Sequence, residues 1–374
     1  MPSWLKEGRG SLCGANVSLL LRERGITKPL LVAGERTKNV FFARTGMRLP
    51  VFDAFHPNPD LQDCVAGAAL YQEKGCDGLI SIGGGSAMDT AKGIKALLMT
   101  DIAHVRANQL PPEGKVPHLA IPGTAGTGAE TTAVAVLYED GQKLSVDHPA
   151  LLPDGVLLDG SLLDTLPEYH RKSCAMDALA QGIESWWAKK ATPGSRIHAE
   201  RAIRGVLDNL TAYLQGDRKA QDEMLHAAYE SGVAILTTRT TAAHAMSYQI
   251  TKKLGAAHGH ACMLTLPHLW AHLAAQAEYQ PMLTELAHIL GGEKPMDGAV
   301  LIKGLLAVLE LDKIPMPDDA TLDMLAASVN PERLGNHPEA LTTAQLRAIY
   351  VQAFTPMTDT ERAEAIAAWE QYGK

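Results

Sequence analysis

The hydrophobic pattern divides the chain into two parts of different character. In the first part, short apolar runs that end at glycine or proline occupy 30–33, 79–82 and 118–121. Helical patterns lie between these runs, at 61–74 and 88–98. Strand, helix and strand in repeated order predict right-handed crossovers and a parallel sheet. We therefore expect an α/β domain over residues 1–160.

From about residue 165 onward the periodicity changes. Leucine, alanine, glutamate and histidine recur at spacings of three and four, and strand-like runs disappear. This spacing is typical of helices that bury one face. The pattern predicts helices at 199–213, 219–236, 268–290, 298–311 and 360–372. We expect an all-helical domain over residues 161–374.

Composition narrows the classes of partner. The 374 residues are 46% hydrophobic and 20% charged, which is ordinary for a globular chain of two domains. A net charge of −8 without a basic block argues against nucleic acid and anionic membranes as partners. The chain starts without an apolar signal core, and no run reaches transmembrane length. Five scattered cysteines without a CxxC pair favour the reducing cytoplasm.

Two turns rich in small residues follow the second and third apolar runs. Gly83–Ser86 opens a predicted helix, and the turn at 122–128 contains Thr124 and Thr127. Ligands of parallel sheets bind beyond the carboxyl ends of the strands, and a glycine-rich helix N-terminus suits a pyrophosphate. We expect both turns to border one nucleotide crevice. Two structural alternatives stay open, namely a tight strand-to-helix turn and threonines that cap the next helix.

Four polar residues of the second part have the chemistry of metal ligands. Asp177 and Gln181 are four apart in a helical pattern, so their side chains leave the same face. His244 and His258 come from later in the chain. A carboxylate, an amide oxygen and two imidazoles can hold one divalent cation. The alternative is that the histidines are hydrogen-bonded core residues.

The order of these motifs resembles the iron-containing (group III) alcohol dehydrogenase family. The motifs are GGGSxxDxAK from Gly83, the turn at 122–128, DALxQxIE from Asp177, Hx3Y from His244, and His258-Gly. The resemblance implies a Rossmann-like dinucleotide-binding domain followed by a helical metal-binding domain, as in dehydroquinate synthase. It also implies hydride transfer between NAD(P)H and an aldehyde or alcohol.

The resemblance assigns roles residue by residue. The nucleotide positions that it implies are Asn58, Gly84, Gly85, Ser86, Asp89, Thr124, Thr127 and Lys143. The implied metal ligands are Asp177, His244 and His258, and Gln181 stands where the family usually has a fourth ligand, histidine. This departure leaves Fe2+, Zn2+, Mg2+ and Mn2+ open. Gly34 replaces the acidic residue of NAD-preferring relatives, which favours NADPH over NADH.

The departures resemble one branch of the family, the phosphonoacetaldehyde reductases, which make 2-hydroxyethylphosphonate in phosphonate biosynthesis. A phosphonate needs hydrogen-bond donors and positive charge. The residues near the ligands that offer them are Arg239, Thr240, Thr241, Lys252 and His260. His260 or Tyr248 is expected to relay a proton from water. Family habit suggests a homodimer.

Other functions stay open at this point. Within the same reaction class, the alternative substrates are sulfoacetaldehyde and a short-chain aldehyde or diol. From another class, the same two-domain plan serves NAD-dependent sugar-phosphate lyases, which show no net change in NADH. A non-catalytic nucleotide-binding relative without its metal is a further alternative.

Overall fold

The computed structural model describes residues 4–112 and 116–372, and the chain separates into two units, Met1–Leu166 and Pro167–Lys374. The strands of the first unit are β1 (Trp4–Glu7), β2 (Pro29–Ala33), β3 (Val51–Phe52), β4 (Gly78–Gly83), β5 (His118–Pro122), β6 (Val134–Glu139), β7 (Gln142–Asp147) and β8 (Gly155–Leu158). The helices of the first unit are α1 (Gly14–Glu23), α2 (Glu35–Thr45), α3 (Leu61–Glu73), α4 (Gly85–Met99) and α5 (Ile102–Arg106).

Six strands of the first unit form one sheet in the order β1-β8-β5-β4-β2-β3, and all neighbours are parallel. The three predicted strands are β2, β4 and β5, and they lie side by side. Ala33 pairs with Ile82, and Ile82 pairs with Ile121, so their carboxyl ends meet at one edge. The predicted parallel α/β domain is confirmed.

The central strands are buried on both faces, which explains their unbroken apolar runs. Leu30 and Val32 belong to a core that includes residues of α3 and α4. Leu31 and Ala33 point to the opposite face, into a core shared with α1 and α2. Side chains alternate across a strand, so each strand serves both cores.

Sequence periodicity missed the strands that are short or only half covered. The edge strands are β1 and β3, and β3 has only two residues. The antiparallel pair β6 and β7 stands outside the main sheet, with Tyr138 opposite Lys143. The boundary predicted after residue 160 falls within a short 3-10 turn, Gly160–Leu163, of the first unit.

The described residues of the second unit, 167–372, form helices and no strand. The helices are α6 (Glu168–Trp187), α7 (Pro193–Leu214), α8 (Arg218–Thr238), α9 (Ala242–Gln249), α10 (His258–Ala274), α11 (Gln280–Leu290), α12 (Asp297–Val308), α13 (Asp319–Ala327), α14 (Pro331–Leu334), α15 (Thr343–Phe354) and α16 (Asp359–Tyr372). A π-helical turn, Ile250–Leu254, follows α9. Among the described residues, every helix is too short or too polar to cross a membrane.

One predicted helix, over 268–290, is wrong. The structure has two helices there, because α10 ends at Ala274 and α11 begins at Gln280. Pro281 lies in the first turn of α11. Backbone N–H groups of the first turn have no partner within the helix, so the missing N–H of proline costs no helical hydrogen bond there. Apolar spacing alone carries on across this turn, so the period gave no sign of the break.

Candidate functional site

The two small-residue turns of the first unit pack against each other. Gly83 ends β4 with φ 149°, a backbone conformation that glycine adopts without strain. The Gly123 amide donates to the Gly83 carbonyl at 2.7 Å, and a Cβ on Gly123 would lie 3.3 Å from Gly83 Cα. The two turns therefore meet through backbone contact at the carboxyl ends of β4 and β5.

The helix α4 begins beside this contact with two glycines, Gly84 and Gly85, at its N-terminus. Gly84 is the N-cap and its side-chain-free Cα faces Thr124, whose methyl carbon would be 3.3 Å from an added Cβ. Gly85 faces Thr127 in the same way, also at 3.3 Å. Because no side chain caps α4, its first amides remain for an anion. The arrangement fits the pyrophosphate of a dinucleotide.

Other predicted nucleotide residues border the same turn. Ser86 Oγ accepts a hydrogen bond from the backbone N–H of Asn58 at 3.2 Å. Burial raises the pKa of Asp89 to about 6, against the lowering effect of the Lys92 and Lys143 charges. The structure thus brings Asn58, Asp89 and Lys143 to the N-terminal half of α4.

Sequence reasoning gave Lys92 no separate role, yet it links α4 to the loop after the second turn. Its Nζ is buried and donates to the Ala129 carbonyl at 2.7 Å, to the Val134 carbonyl at 2.9 Å and to Thr132 Oγ1 at 3.0 Å. Burial lowers the pKa of Lys92 to about 8, although Asp89 opposes the shift. This lysine of the motif GGGSxxDxAK therefore holds the chain at 129–134 against α4.

Gly34, the residue used to choose between NADPH and NADH, is the N-cap of α2 directly after β2. The neighbouring acid, Glu35, forms an ion pair with Lys38 at 2.5 Å. Arg36, the next residue of α2, donates to Thr165 Oγ1. Both charged neighbours of Gly34 therefore have protein partners.

A compact group of four ligand-type side chains lies in the second unit. Its members are Asp177 of α6, His244 of α9, and His258 and Cys262 of α10, and their ligand atoms all lie within 4.8 Å of one another. His244 Nε2 is 3.3 Å from Asp177 Oδ1, and His258 Nε2 is 3.9 Å from the same oxygen. The structure brings together the three metal ligands that the resemblance implies and adds a thiol.

A glycine allows α10 to approach α6 closely enough for this group to form. A Cβ on Gly259 would lie 2.0 Å from the Ser173 carbonyl oxygen and 2.6 Å from the Asp177 amide nitrogen. These distances exclude any larger residue without a shift of the helices. The glycine after His258 therefore brings that histidine to Asp177.

Glu184 holds His244 in the orientation that a metal ligand needs. His244 Nδ1 donates to Glu184 Oε2, so its Nε2 faces Asp177. The other carboxylate oxygen accepts from the Thr241 hydroxyl at 2.5 Å and the Ala243 amide at 2.8 Å. Burial would raise the pKa of Glu184, but the His244 charge and the hydrogen bonds from His244 and Thr241 lower it. Such a carboxylate fixes the tautomer of a metal-ligating histidine.

The ionisable groups of the cluster shift one another. Although burial opposes it, the charges of Cys262 and Asp177 raise the pKa of His258 to about 9. Burial raises the pKa of the Cys262 thiol, but His244 and His258 lower it to about 7. The group therefore combines negative donors with protons that a divalent cation displaces on binding. Its donors fit a tetrahedral or five-coordinate divalent metal.

Two profiles of one family cover most of the chain. Residues 3–160 match iron-containing alcohol dehydrogenase, and residues 172–354 match the C-terminal part of the Fe-containing alcohol dehydrogenase family. Phosphonoacetaldehyde reductase of Streptomyces viridochromogenes is 31% identical over 78% of this chain and 80% of its own length. The chain belongs to the iron-containing alcohol dehydrogenase family. The fold predicted from the resemblance is confirmed.

Two further family members broaden the comparison. The probable alcohol dehydrogenase EutG of Salmonella typhimurium is 32% identical over 67% of this chain, and the match spans 63% of the length of EutG. The crystal structure of sulfoacetaldehyde reductase from Bifidobacterium kashiwanohense in complex with NAD+ superimposes with a TM-score of 0.85. It is 26% identical, and the superposition covers 95% of this chain and 97% of that one.

Gln181 departs from the family's usual histidine, and its amide has protein partners at both ends. Its Oε1 accepts from Ser231 Oγ at 2.8 Å, and its Nε2 donates to Asp177 Oδ1 at 3.2 Å. Asp177, Gln181 and Glu184 lie on one face of α6, as the spacing predicts. In this arrangement Gln181 orients the carboxylate of Asp177.

The two predicted proton-relay residues have different surroundings. Tyr248 stacks on the His258 ring, with centroids 6.1 Å apart and planes 6° apart. His260 is buried, its Nε2 donates to the Leu311 carbonyl at 2.8 Å, and its Nδ1 is 3.1 Å from the Tyr169 hydroxyl. Burial lowers the pKa of His260. The structure thus places Tyr248 beside the cluster and gives His260 protein partners on both nitrogens.

The predicted substrate-binding residues have different local partners in the second unit. Arg239 donates to carbonyls at the end of α8, including that of Leu236. The Thr240 carbonyl accepts from Asn336 Nδ2 at 3.0 Å, and Thr241 is fully buried against Glu184. Lys252 is exposed on the π-helical turn. Hydrogen bonds within the second unit thus engage Arg239, Thr240 and Thr241.

Cys262 is the functional candidate that sequence reasoning missed. It follows His258 by one helical turn, so both side chains leave the same face of α10. That spacing is the signal in the sequence that finds it. A scattered cysteine without a second cysteine nearby carries no metal pattern by itself.

Proposed function

We propose that the chain is a metal-dependent, NAD(P)H-linked alcohol dehydrogenase that works as an aldehyde reductase. The observation that carries the proposal is the group of Asp177, His244, His258 and Cys262, buried except for the half-buried His258, in a member of the iron-containing alcohol dehydrogenase family. When bound, a divalent cation supplies Lewis-acid polarisation of a carbonyl oxygen, and a reduced nicotinamide supplies hydride. NADPH is the proposed donor, since Gly34 offers no carboxylate against a 2′-phosphate.

The residues of this chain have distinct tasks in the proposed reaction. The first amides of α4, beside Gly84 and Gly85, bind the pyrophosphate. Glu184 keeps the His244 Nε2 lone pair directed at the metal position. Tyr248 is the proposed proton relay, because its ring lies against His258. Retained turnover in Tyr248→Phe across the pH range would overturn that last assignment.

The proposed substrate is phosphonoacetaldehyde, which is reduced to 2-hydroxyethylphosphonate. Its support is the 31% identity to phosphonoacetaldehyde reductase over 78% of the chain. Sulfoacetaldehyde is the second candidate, favoured by the structural similarity to sulfoacetaldehyde reductase. A general short-chain aldehyde is the third. The three substrates differ in the charge of the group beside the carbonyl. A positively charged side chain that binds this group would therefore discriminate among them.

Steady-state oxidation of NADPH and NADH by metal-reconstituted protein tests the proposal, with phosphonoacetaldehyde, sulfoacetaldehyde and butanal in parallel. One charge-assisted hydrogen bond to the phosphonate predicts at least about a tenfold preference in kcat/KM over butanal. Lys252→Gln is expected to reduce that preference, and Lys253→Gln, a neighbour that is also exposed on the same turn, serves as the matched control. Equal kcat/KM for all three aldehydes would refute the phosphonate assignment.

The same assay separates the other classes of function. A sugar-phosphate lyase would leave the nicotinamide absorbance unchanged at the end of turnover, whereas a reductase consumes one NAD(P)H per aldehyde. A non-catalytic relative would bind nucleotide but no divalent metal. A cytoplasmic location and a homodimer stay predictions, which cell fractionation and analytical ultracentrifugation test.

A further inference from the structure

The thiol of Cys262 has no assigned task, although it lies inside the proposed metal site. The side chain is fully buried. Its Sγ is 3.9 Å from His258 Nε2 and 4.0 Å from His258 Nδ1. We infer that Cys262 Sγ is the fourth protein ligand of the metal, and that Gln181 is a positioning residue for Asp177 rather than a ligand. This inference rests on the proposed function in that a divalent metal occupies the site.

The distances fit a single tetrahedral shell. Metal–ligand bonds of about 2.0–2.3 Å separate neighbouring donor atoms by roughly 3.3–3.7 Å. The His244 Nε2 to Asp177 Oδ1 distance is 3.3 Å, and the two distances that reach His258 Nε2, from Asp177 Oδ1 and from Cys262 Sγ, are both 3.9 Å. The two 3.9 Å distances must shorten by a few tenths of an ångström to reach bonding geometry. Because Cys262 Sγ is almost equidistant from the two nitrogens of His258, ligation also requires a rotation that brings the sulfur to the Nε2 side of that ring.

The surroundings orient the two imidazoles of the group. Glu184 holds Nδ1 of His244, and Ser247 Oγ lies 3.3 Å from Nδ1 of His258, so both imidazoles present Nε2. Close contact of Gly259 with α6 sets the position of α10, which carries both His258 and Cys262. The sulfur thus approaches the site on the same rigid element as one histidine.

The amide of Gln181 is the weaker candidate on both geometry and chemistry. Its oxygen accepts from Ser231 Oγ, and its nitrogen donates to Asp177 Oδ1. Ligation through Oε1 would strain or break the Ser231 contact. A thiolate is also the softer donor, and it selects zinc or cobalt over magnesium and manganese. In this assignment the fourth protein donor is the sulfur of α10, and the amide of α6 is a hydrogen-bond partner of Asp177.

The metal preference follows from the donor set. One oxygen, two nitrogens and one sulfur match zinc, which also expands to five-coordinate and so admits a substrate oxygen. We expect zinc to bind more tightly than iron(II) to this chain, in line with the order of divalent affinities. Competition for the apo-protein between the two metals, followed by elemental analysis, measures that order.

Cobalt substitution of the full chain provides the decisive test, because a cysteine ligand produces a thiolate-to-cobalt charge-transfer band in the near ultraviolet. We expect the band in the wild type, in Gln181→Leu, and in Cys174→Ala, which removes the other cysteine of the second unit. Cys262→Ser is expected to lose the band. Because loss of an outer-shell partner already lowers metal affinity up to about 100-fold, loss of a direct ligand is expected to lower zinc affinity by at least that factor.

The outcomes separate the inference from the proposed function. Wild-type protein that binds one cobalt without the band would overturn the cysteine ligand and leave the reductase proposal intact. A change in the visible d–d bands of cobalt in Gln181→Leu, with the thiolate band retained, would assign the amide a ligand role and contradict its positioning role. Failure of the wild type to bind any divalent metal would overturn both. The wild-type spectrum needs no variant to fold, so the test stands even where a variant does not.

Discussion

A methyl group added at Gly259 offers the sharpest test of how the cluster is assembled. In Gly259→Ala the new Cβ would lie 2.0 Å from the Ser173 carbonyl oxygen, 2.6 Å from the Asp177 amide nitrogen and 2.7 Å from Asp177 Cβ. Ordinary contact begins near 3.4 Å, so α10 and α6 must separate by roughly 1.4 Å. Metal–ligand bonds tolerate shifts of about 0.2 Å. We therefore expect His258 to leave the metal.

The expected result is a loss of metal affinity larger than the loss of stability explains. Overpacking of this kind costs about 1–3 kcal/mol in the free energy of unfolding. Zinc titration of the apo-protein with a competing chelator measures affinity, and urea unfolding measures stability. Gly205→Ala is the matched control, since its Cβ would lie 2.8 Å from Ala227 Cβ between α7 and α8, with no metal-type ligand in that contact.

The comparison has a clear refuting outcome. Both variants are expected to lose stability, but only Gly259→Ala is expected to lose zinc and turnover. If Gly259→Ala binds zinc with wild-type affinity, then close approach of α10 to α6 does not set the ligand geometry, and the structural role of the His-Gly motif is wrong.

Three further predictions concern the supporting residues. Glu184→Gln places an amide donor against His244 Nδ1, which moves the ring proton to Nε2 and lowers metal affinity about 10–100-fold in a chelator titration. Gly85→Val, whose side chain meets Thr127, is expected to abolish NADPH binding measured by nicotinamide fluorescence without loss of zinc. Burial raises the pKa of Glu130 from 4.5 to about 7, so its contribution to stability is full below pH 4.5 and is lost as the pH rises through about 7. Glu130→Gln is expected to remove that loss, about 3 kcal/mol, when urea unfolding is compared at low and neutral pH; an unchanged pH dependence would contradict the assignment.

The α/β domain was predictable because its central strands meet a simple physical demand. Leu30 to Ala33 must be apolar at every position, since helices cover both faces of the sheet. Such runs are visible without knowledge of their neighbours. The edge strand β3 is two residues long and has no such demand, so its pattern is indistinct. The break between α10 and α11 was missed because both helices bury an apolar face. The helical spacing of apolar residues therefore continues across the turn between them.

The residues of the candidate site divide along the same line. The sequence alone was enough to name Asp177, His244 and His258 as ligand candidates, because the order of motifs along the chain can be recognised without the fold. It also determined the family and the expectation of a nucleotide turn at the start of α4. These features are local in sequence, and their chemistry follows from residue type and spacing.

Only the tertiary structure decided which donors meet. Cys262 joins the cluster because Gly259 lets α10 approach α6, and Gln181 is drawn to Ser231 on α8. His260 is held by Leu311, a residue 51 positions later. Spacing along one helix gives the face on which a side chain lies, but the partner on that face comes from another helix, and only the packing of the helices selects it.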